Sequence, residues 1–268
     1  MPFNEGNVTK TFRALVQPSK GGQSFPAIIK DLPQRELFNE LVCFLVLQEM
    51  GLPVPLGYLG IVGATETGIS LGPVLPEGQK LVFVSKEIPT PNLKLAIALP
   101  ASPTPPQIEK CLRRVVPEIA KWNLLGELYA FDTWVANIDR NLGNILYGGL
   151  LSNGTPDIWI IDHGRSFTSE AWQSKDLIPD RSYKNMLQNW ATPFLSNQNK
   201  NECLESAAHF ETKAQSFDSS GKIDYLAKMF GLDRIDQEAA KNFLAVRAAR
   251  VTEFSENALD MGRLPCHQ

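Results

Sequence analysis

The chain has 268 residues, 43% hydrophobic and 21% charged, with 26 Lys and Arg against 29 Asp and Glu for a net charge of −3. This is enough chain for a sizeable core in one domain or two lobes, and it lacks the strongly basic half of a protein that binds nucleic acid by charge. No apolar run reaches the roughly 20 residues of a membrane span, and the start Met1-Pro-Phe-Asn-Glu-Gly6 lacks the basic and apolar regions of a signal peptide. Cys43, Cys111, Cys203 and Cys266 lie far apart, as reduced thiols of a cytoplasmic protein do, and His163, His209 and His267 are equally dispersed, which argues against a zinc site.

Residues 8–17 and 25–30 are predicted as strands flanking the Gly-rich turn Pro18-Ser-Lys-Gly-Gly-Gln-Ser24. Residues 34–50 are predicted as a helix, with Leu37, Leu41, Phe44 and Leu45 on one side and Gly51, Pro53 and Pro55 as its stop. Further strands are expected at 56–62 and 80–85, and the stiff connector Pro100–Pro106 divides the chain. Beyond it, helices are expected at 107–121 and 124–137, then a polar loop and hairpin, then helices at 181–194, 200–214, 222–230 and 235–259. The fold class is therefore α+β and bilobal, with a β-rich lobe at 1–99, a larger helical lobe at 100–268, and a ligand cleft between them.

The loop and hairpin carry the chemistry. Asp139 precedes Asn144 by five positions, and Asp162 follows Asn144 by eighteen, at the end of the apolar run Ile158–Ile161 and two before Gly164. This order of Asp-x4-Asn, hairpin and Asp-x-Gly suits phosphoryl transfer from ATP. Asp139, in a polar loop after a helix, is the candidate to orient the attacking hydroxyl. Asn144 and Asp162 are candidate magnesium ligands, because this hard cation takes oxygen donors and needs only one or two carboxylates. Asp132, inside the helical pattern, is expected to brace the loop. His163 is either a packed spacer or a phosphate contact.

Lys30 closes the apolar run Phe25–Ile29, where a cation needs an anionic partner. Glu40 on the next helix fits that role, with Arg35 and Glu36 as neighbouring alternatives, and ATP phosphates would be the second partner. Ser19, Gly21, Gly22 and Ser24 in the turn either cover those phosphates with backbone N–H groups or form a plain hairpin. Val84 and Lys86, before the proline connector, are candidate adenine contacts and Glu87 a candidate ribose contact; an ordinary edge strand reads the same way.

Lys30, the helix with Asn39-Glu40 followed by Gly51-Leu-Pro-Val-Pro55, the loop Asn137–Asn144 and Ile161-Asp-His-Gly164 resemble the HipA-like kinases. These are bacterial serine/threonine kinases, some of them toxins of toxin–antitoxin pairs, and distant relatives of protein and phosphoinositide kinases. The resemblance covers roughly residues 8–170. It implies a catalytic role for Asp139, magnesium binding by Asn144 and Asp162, phosphate binding by Lys30, and a phosphorylatable serine in the phosphate loop, at Ser19 or Ser24 by position. It also implies ATP and magnesium as cofactors, a protein substrate bearing Ser or Thr, and an antitoxin or regulatory protein as partner. HipA has His two positions after the catalytic Asp; here Asn141 stands there and joins the nucleotide-binding candidates. The chain is shorter than full-length HipA, without room for its additional N-terminal subdomain. Competing readings are a small-molecule kinase, a lipid kinase and a pseudokinase scaffold; the filled Lys30, Asp139, Asn144 and Asp162 positions disfavour the last.

Overall fold

A computed structural model describes residues 2–3 (backbone only), 10–18, 21–63, 65 and 68–261. Ser19 lies outside the described residues. Five antiparallel strands form the first sheet in the order β1-β2-β3-β5-β4: β1 Pro2–Phe3, β2 Thr11–Val16, β3 Phe25–Lys30, β4 Gly57–Val62 and β5 Lys80–Lys86. In register, Lys30 pairs with Phe83 and Ile28 with Ser85. Side chains alternate along a strand, so Lys30 and Phe83 face one side while Ala27, Val82 and Val84 form a small cluster on the other.

Helix α1, Gln34–Met50, covers the Lys30 side. Its Leu37, Phe38, Leu41, Val42, Phe44, Val46 and Leu47 are buried, and it ends at Gly51, whose left-handed φ of 79° costs a glycine nothing. The chain leaves the sheet after Lys86, and Asn92 already bridges to Leu146 of the second hairpin. Helix α2, Leu93–Ala96, is capped by the Asn92 side chain. Pro100–Pro106 leads into α3, Pro105–Ile119, with Thr104 and Gln107 forming a capping box.

Helix α4, Leu125–Trp134, is buried along nearly its whole length. It is crossed so closely by a later helix that a Cβ on Gly126 would sit 2.5 Å from the backbone oxygen of Cys203. Then come the loop 135–141, the hairpin of β6 Ile145–Leu150 and β7 Pro156–Ile160, and a long irregular segment. The remaining helices are α5 Met186–Trp190, α6 Asn197–Ser216, α7 Ser219–Phe230, α8 Arg234–Ala248 and α9 Val251–Ala258. No described helix is long and apolar enough to cross a membrane.

Several predicted elements differ from the observed ones, and three have a local physical reason. The helix expected at 107–121 begins two residues earlier, on Pro105 and Pro106, whose fixed φ suits a first turn. The helix expected at 181–194 is confined to Met186–Trp190, because Asn185 caps a start there and the Tyr183 hydroxyl ties itself to the backbone of Asp176 and Ile178. The helix expected at 235–259 is two, broken at Ala249–Arg250, where α9 turns to lay Val251 and Phe254 against the core.

Candidate functional site

At the end of β3, Lys30 Nζ donates to Glu40 Oε1 on α1 and, at 3.0 Å, to Asp162 Oδ1 beyond β7. The lysine and Glu40 side chains are 11% and 1% exposed, whereas Asp162 is 42% exposed. Burial pulls the Lys30 pKa down, but the two carboxylates outweigh it and hold it above the ordinary lysine value. Partial desolvation would raise Asp162, and Lys30 outweighs this, leaving the carboxyl below its usual range. Both ions are therefore charged at neutral pH. Asp162 adopts a left-handed φ of 62°, which Asp tolerates better than most residues. The second Glu40 oxygen, Oε2, is buried with no hydrogen-bond partner among the described residues.

The neighbours of Glu40 go elsewhere. Arg35 pairs with Asp236 and Asp233 at the start of α8 and stacks on Trp172 with its Cζ 4.5 Å from the ring centroid. Glu36 lies against Gly164, where a Cβ would meet its Cγ at 2.6 Å. Burial and the charge of Asp162 push the Glu36 pKa up to about 7.

The loop after α4 rests on a buried ion pair. Arg140 and Asp132 are fully buried, joined at 2.9 and 3.1 Å. Arg140 Nη1 also donates to the carbonyls of Asn144 (3.2 Å) and Ile161 (2.7 Å), and Nη2 meets His163 Nδ1 at 3.1 Å. One guanidinium thus ties the loop of Asp139 to the strand end that presents Asp162. His163 packs edge-on against Phe131 and is buried, with a lowered pKa because burial and the nearby cations oppose its protonation. This is a packed spacer, held neutral.

Above that base, Asn144 Nδ2 donates to the Asp139 carbonyl at 2.6 Å, and Asn141 Oδ1 accepts from the Gly143 N–H at 2.7 Å. The Asn144 amide is thereby oriented, with its oxygen left as an acceptor. Asn141 Nδ2 lies 3.3 Å from Asp139 Oδ1, and Arg165 Nη1 lies 3.9 Å from Asp139 Oδ2.

Lys30, Glu40 and Asp162 are thus bonded together; Asp139, Asn141 and Asn144 form a second group; and Arg140 links the two. The remaining candidates lie outside both groups. Val84 points to the sheet face away from Lys30. Lys86 is exposed, and Glu87 pairs with Arg13 at 2.9 Å. Gly21 and Gly22, in the β2–β3 turn, have φ of 79° and 139° and are exposed. Sequence reasoning assigned no role to Arg140, or to Trp172 and Arg247. Arg247 is fully buried and donates to the carbonyls of Thr133, Trp134 (2.8 Å) and Arg181 (2.7 Å). Only Arg247 carried a signal, a charge standing among the apolar residues Ala245, Val246, Ala248 and Ala249; Arg140 stands in a polar loop and Trp172 is followed by Gln173 and Ser174.

Among the described residues no cluster of three His, Cys, Asp or Glu could hold a metal alone. The donor set instead fits magnesium held jointly with phosphate: one half-exposed carboxylate, Asp162, and one oriented amide oxygen, Asn144.

No protein-family model matches the chain, and no curated protein sequence matches it. Among solved structures it aligns with the Helicobacter pylori proinflammatory kinase CtkA at a TM-score of 0.55 and 15% identity, over 93% of this chain and 95% of that one. It aligns with HipA of Shewanella oneidensis MR-1, solved with HipB and operator DNA, at a TM-score of 0.49 and 11% identity, over 97% of this chain and 67% of that one. With WaaP, solved in complex with acyl carrier protein, the TM-score is 0.38 at 16% identity, over 86% and 87% of the two chains. A small antiparallel sheet over a mostly helical second lobe, superposable on CtkA along nearly its full length, gives the chain a kinase-like α+β bilobal fold.

Proposed function

We propose that the chain is an ATP- and magnesium-dependent phosphotransferase, a HipA-like kinase acting on Ser or Thr hydroxyls of a protein in the bacterial cytoplasm, with an antitoxin or regulatory protein as a candidate partner. The observation that carries this is Lys30 held between Glu40 and Asp162, with Arg140 tying Asp162 to the loop of Asp139 and Asn144. The division into 1–99 and 100–268 belongs to the same reading. Lys30, fixed by Glu40, binds phosphate oxygens. Asp162 and Asn144 hold magnesium, which supplies neutralising charge on the phosphates. Asp139 orients the acceptor hydroxyl and takes its proton, with Arg165 Nη1 3.9 Å from its Oδ2.

The segment Lys86–Pro91, where the chain leaves the first sheet, supports adenine recognition. Pro89 and Pro91 have no N–H, the N–H groups of Lys86 and Glu87 go to Leu56 and Pro26, and that of Thr90 goes to Ile88. Among the described residues from 86 to 91, the Ile88 N–H is the backbone donor left for a base. Adenine N1 accepts such a bond, whereas guanine carries a hydrogen there.

The test is thermal melting and transfer of labelled γ-phosphate to a bacterial lysate. Saturating ATP with magnesium should raise the melting temperature by mass action and label a protein, with ATP preferred over GTP by about tenfold or more. No melting shift with Mg-ATP, or no labelled product, defeats the assignment.

A further inference from the structure

Asn39 is a polar residue in the middle of the apolar face of α1, fully buried, one position before Glu40. Every hydrogen-bonding group of its amide is used. Nδ2 donates to the carbonyls of Gly164 (2.7 Å), Ser166 (2.9 Å) and Ser169 (3.0 Å), and Oδ1 accepts from Trp172 Nε1 at 2.8 Å. With two hydrogens and three acceptors, one of these bonds is shared. All four partners belong to the segment that follows Asp162.

The surroundings make that grip rigid. Phe38 packs against Phe167 and Trp172, whose rings stack on each other at 5.7 Å. Arg35, one turn earlier, lies over the Trp172 ring and pairs with Asp236, whose Oδ1 accepts the Ser174 N–H at 2.8 Å. Phe167 and Thr168 sit at left-handed φ of 55° and 77°, a conformation that costs a non-glycine residue energy and persists only where its surroundings impose it.

We propose that Asn39 is a positioning residue that sets the register between α1 and the segment after Asp162, and so fixes Glu40 and Asp162 on Lys30. The kinetic part of this rests on the phosphotransferase reading; the structural part does not. Any rotation or slide of α1 that moves Glu40 breaks bonds at Asn39, and any shift of the segment that moves Asp162 pulls on the same amide. The two carboxylates are thereby delivered to the lysine as one unit.

Asn39→Asp is the informative variant. It keeps an oxygen for Trp172 and sets a second oxygen against three carbonyls. Hydrogen exchange and turnover of Mg-ATP to ADP are measured together. Exchange at the amides of 164–174 should accelerate by about tenfold or more while α6 is unchanged. The kcat should fall by about tenfold to a hundredfold, the magnesium concentration for half-maximal rate should rise, and KM for ATP should change less than kcat. Val115→Ala in α3, outside this set of contacts, is the destabilised control and should keep the parental kcat. Trp172→Phe, which removes the donor to Oδ1 together with part of the ring packed by Phe38, Phe167 and Arg35, should move both readouts the same way by about threefold or more and serves in place of Asn39→Asp if that variant does not fold. Unchanged exchange in 164–174 overturns the proposal, as does a kcat loss in Val115→Ala equal to that in Asn39→Asp. A parent protein that neither binds nor turns over Mg-ATP defeats the phosphotransferase reading instead, and the exchange contrast still decides whether Asn39 couples the two segments.

Discussion

Asp139 and Asp162 are chemically identical side chains in unlike settings. Asp162 is bonded to the buried Lys30, whereas Asp139 meets Asn141 and a half-exposed Arg165. Asp139→Asn should leave magnesium-dependent ATP affinity nearly intact while transfer falls by about a hundredfold or more, the scale of a positioned general base. Asp162→Asn should weaken the magnesium dependence of ATP binding and abolish transfer. Calorimetric titration of Mg-ATP beside a transfer assay separates the two; equal effects on binding would refute the division of roles. Glu36 gives a prediction in pH. Its folded pKa of about 7 lies above the ordinary 4.5, so its contribution is intact below pH 4.5 and is lost as pH rises towards 7. Glu36→Gln should remove that decline, making the variant more stable than the parent at pH 8 by on the order of 1 kcal/mol after solvent screening. Asp162 has the opposite sign: its lowered pKa contributes stability above the usual carboxylate range that disappears on acidification through the lowered value. Melting curves from pH 3 to 8 test both signs.

At the scale of elements, the loop of Asp139 is held from beneath. Arg140→Met strands the buried Asp132 carboxylate, whose pKa burial already raises, and orphans the Asn144 and Ile161 carbonyls. The expected cost is about 3–5 kcal/mol, read by denaturant unfolding; a loss under about 1 kcal/mol would mean the pair is not the support described. The sequence made some of this readable. Asp139, Asn144 and Asp162 stood out because their spacing is set by the chemistry of a loop and a hairpin, and the bracing role of Asp132 followed from its helical position. Helix α1 was legible to the residue, since an apolar face and a Gly-Leu-Pro stop leave one solution. The split of α8 from α9 was not, because neither Gly nor Pro marks it; Arg250 there bonds Asp180 and Glu253, and the break is a tertiary event. Nor was the grip of Asn39, since its partners lie more than 120 positions away.

Across the whole molecule, the last hundred residues carried no motif, yet they hold the elements of the candidate site in place. Gln34 of α1 donates to the Phe230 carbonyl at the end of α7, Arg35 meets the start of α8, and Arg247 grips the end of α4 and the backbone at 179–181. The sheet lobe therefore shares helix α1 with the C-terminal helices. Urea unfolding followed by far-ultraviolet circular dichroism and by tryptophan fluorescence should give one coincident transition. Two separate transitions, with the sheet lobe melting alone, would contradict this.

The connector Glu87–Asn92 contains two prolines and is tied at Pro91 to Tyr147. Such a strap bends poorly, and α1 is fastened on its far side. Under the proposed function, spent nucleotide would then leave without the lobes swinging apart. Product residence time would answer hardly at all to viscosity-sensitive motions of whole lobes.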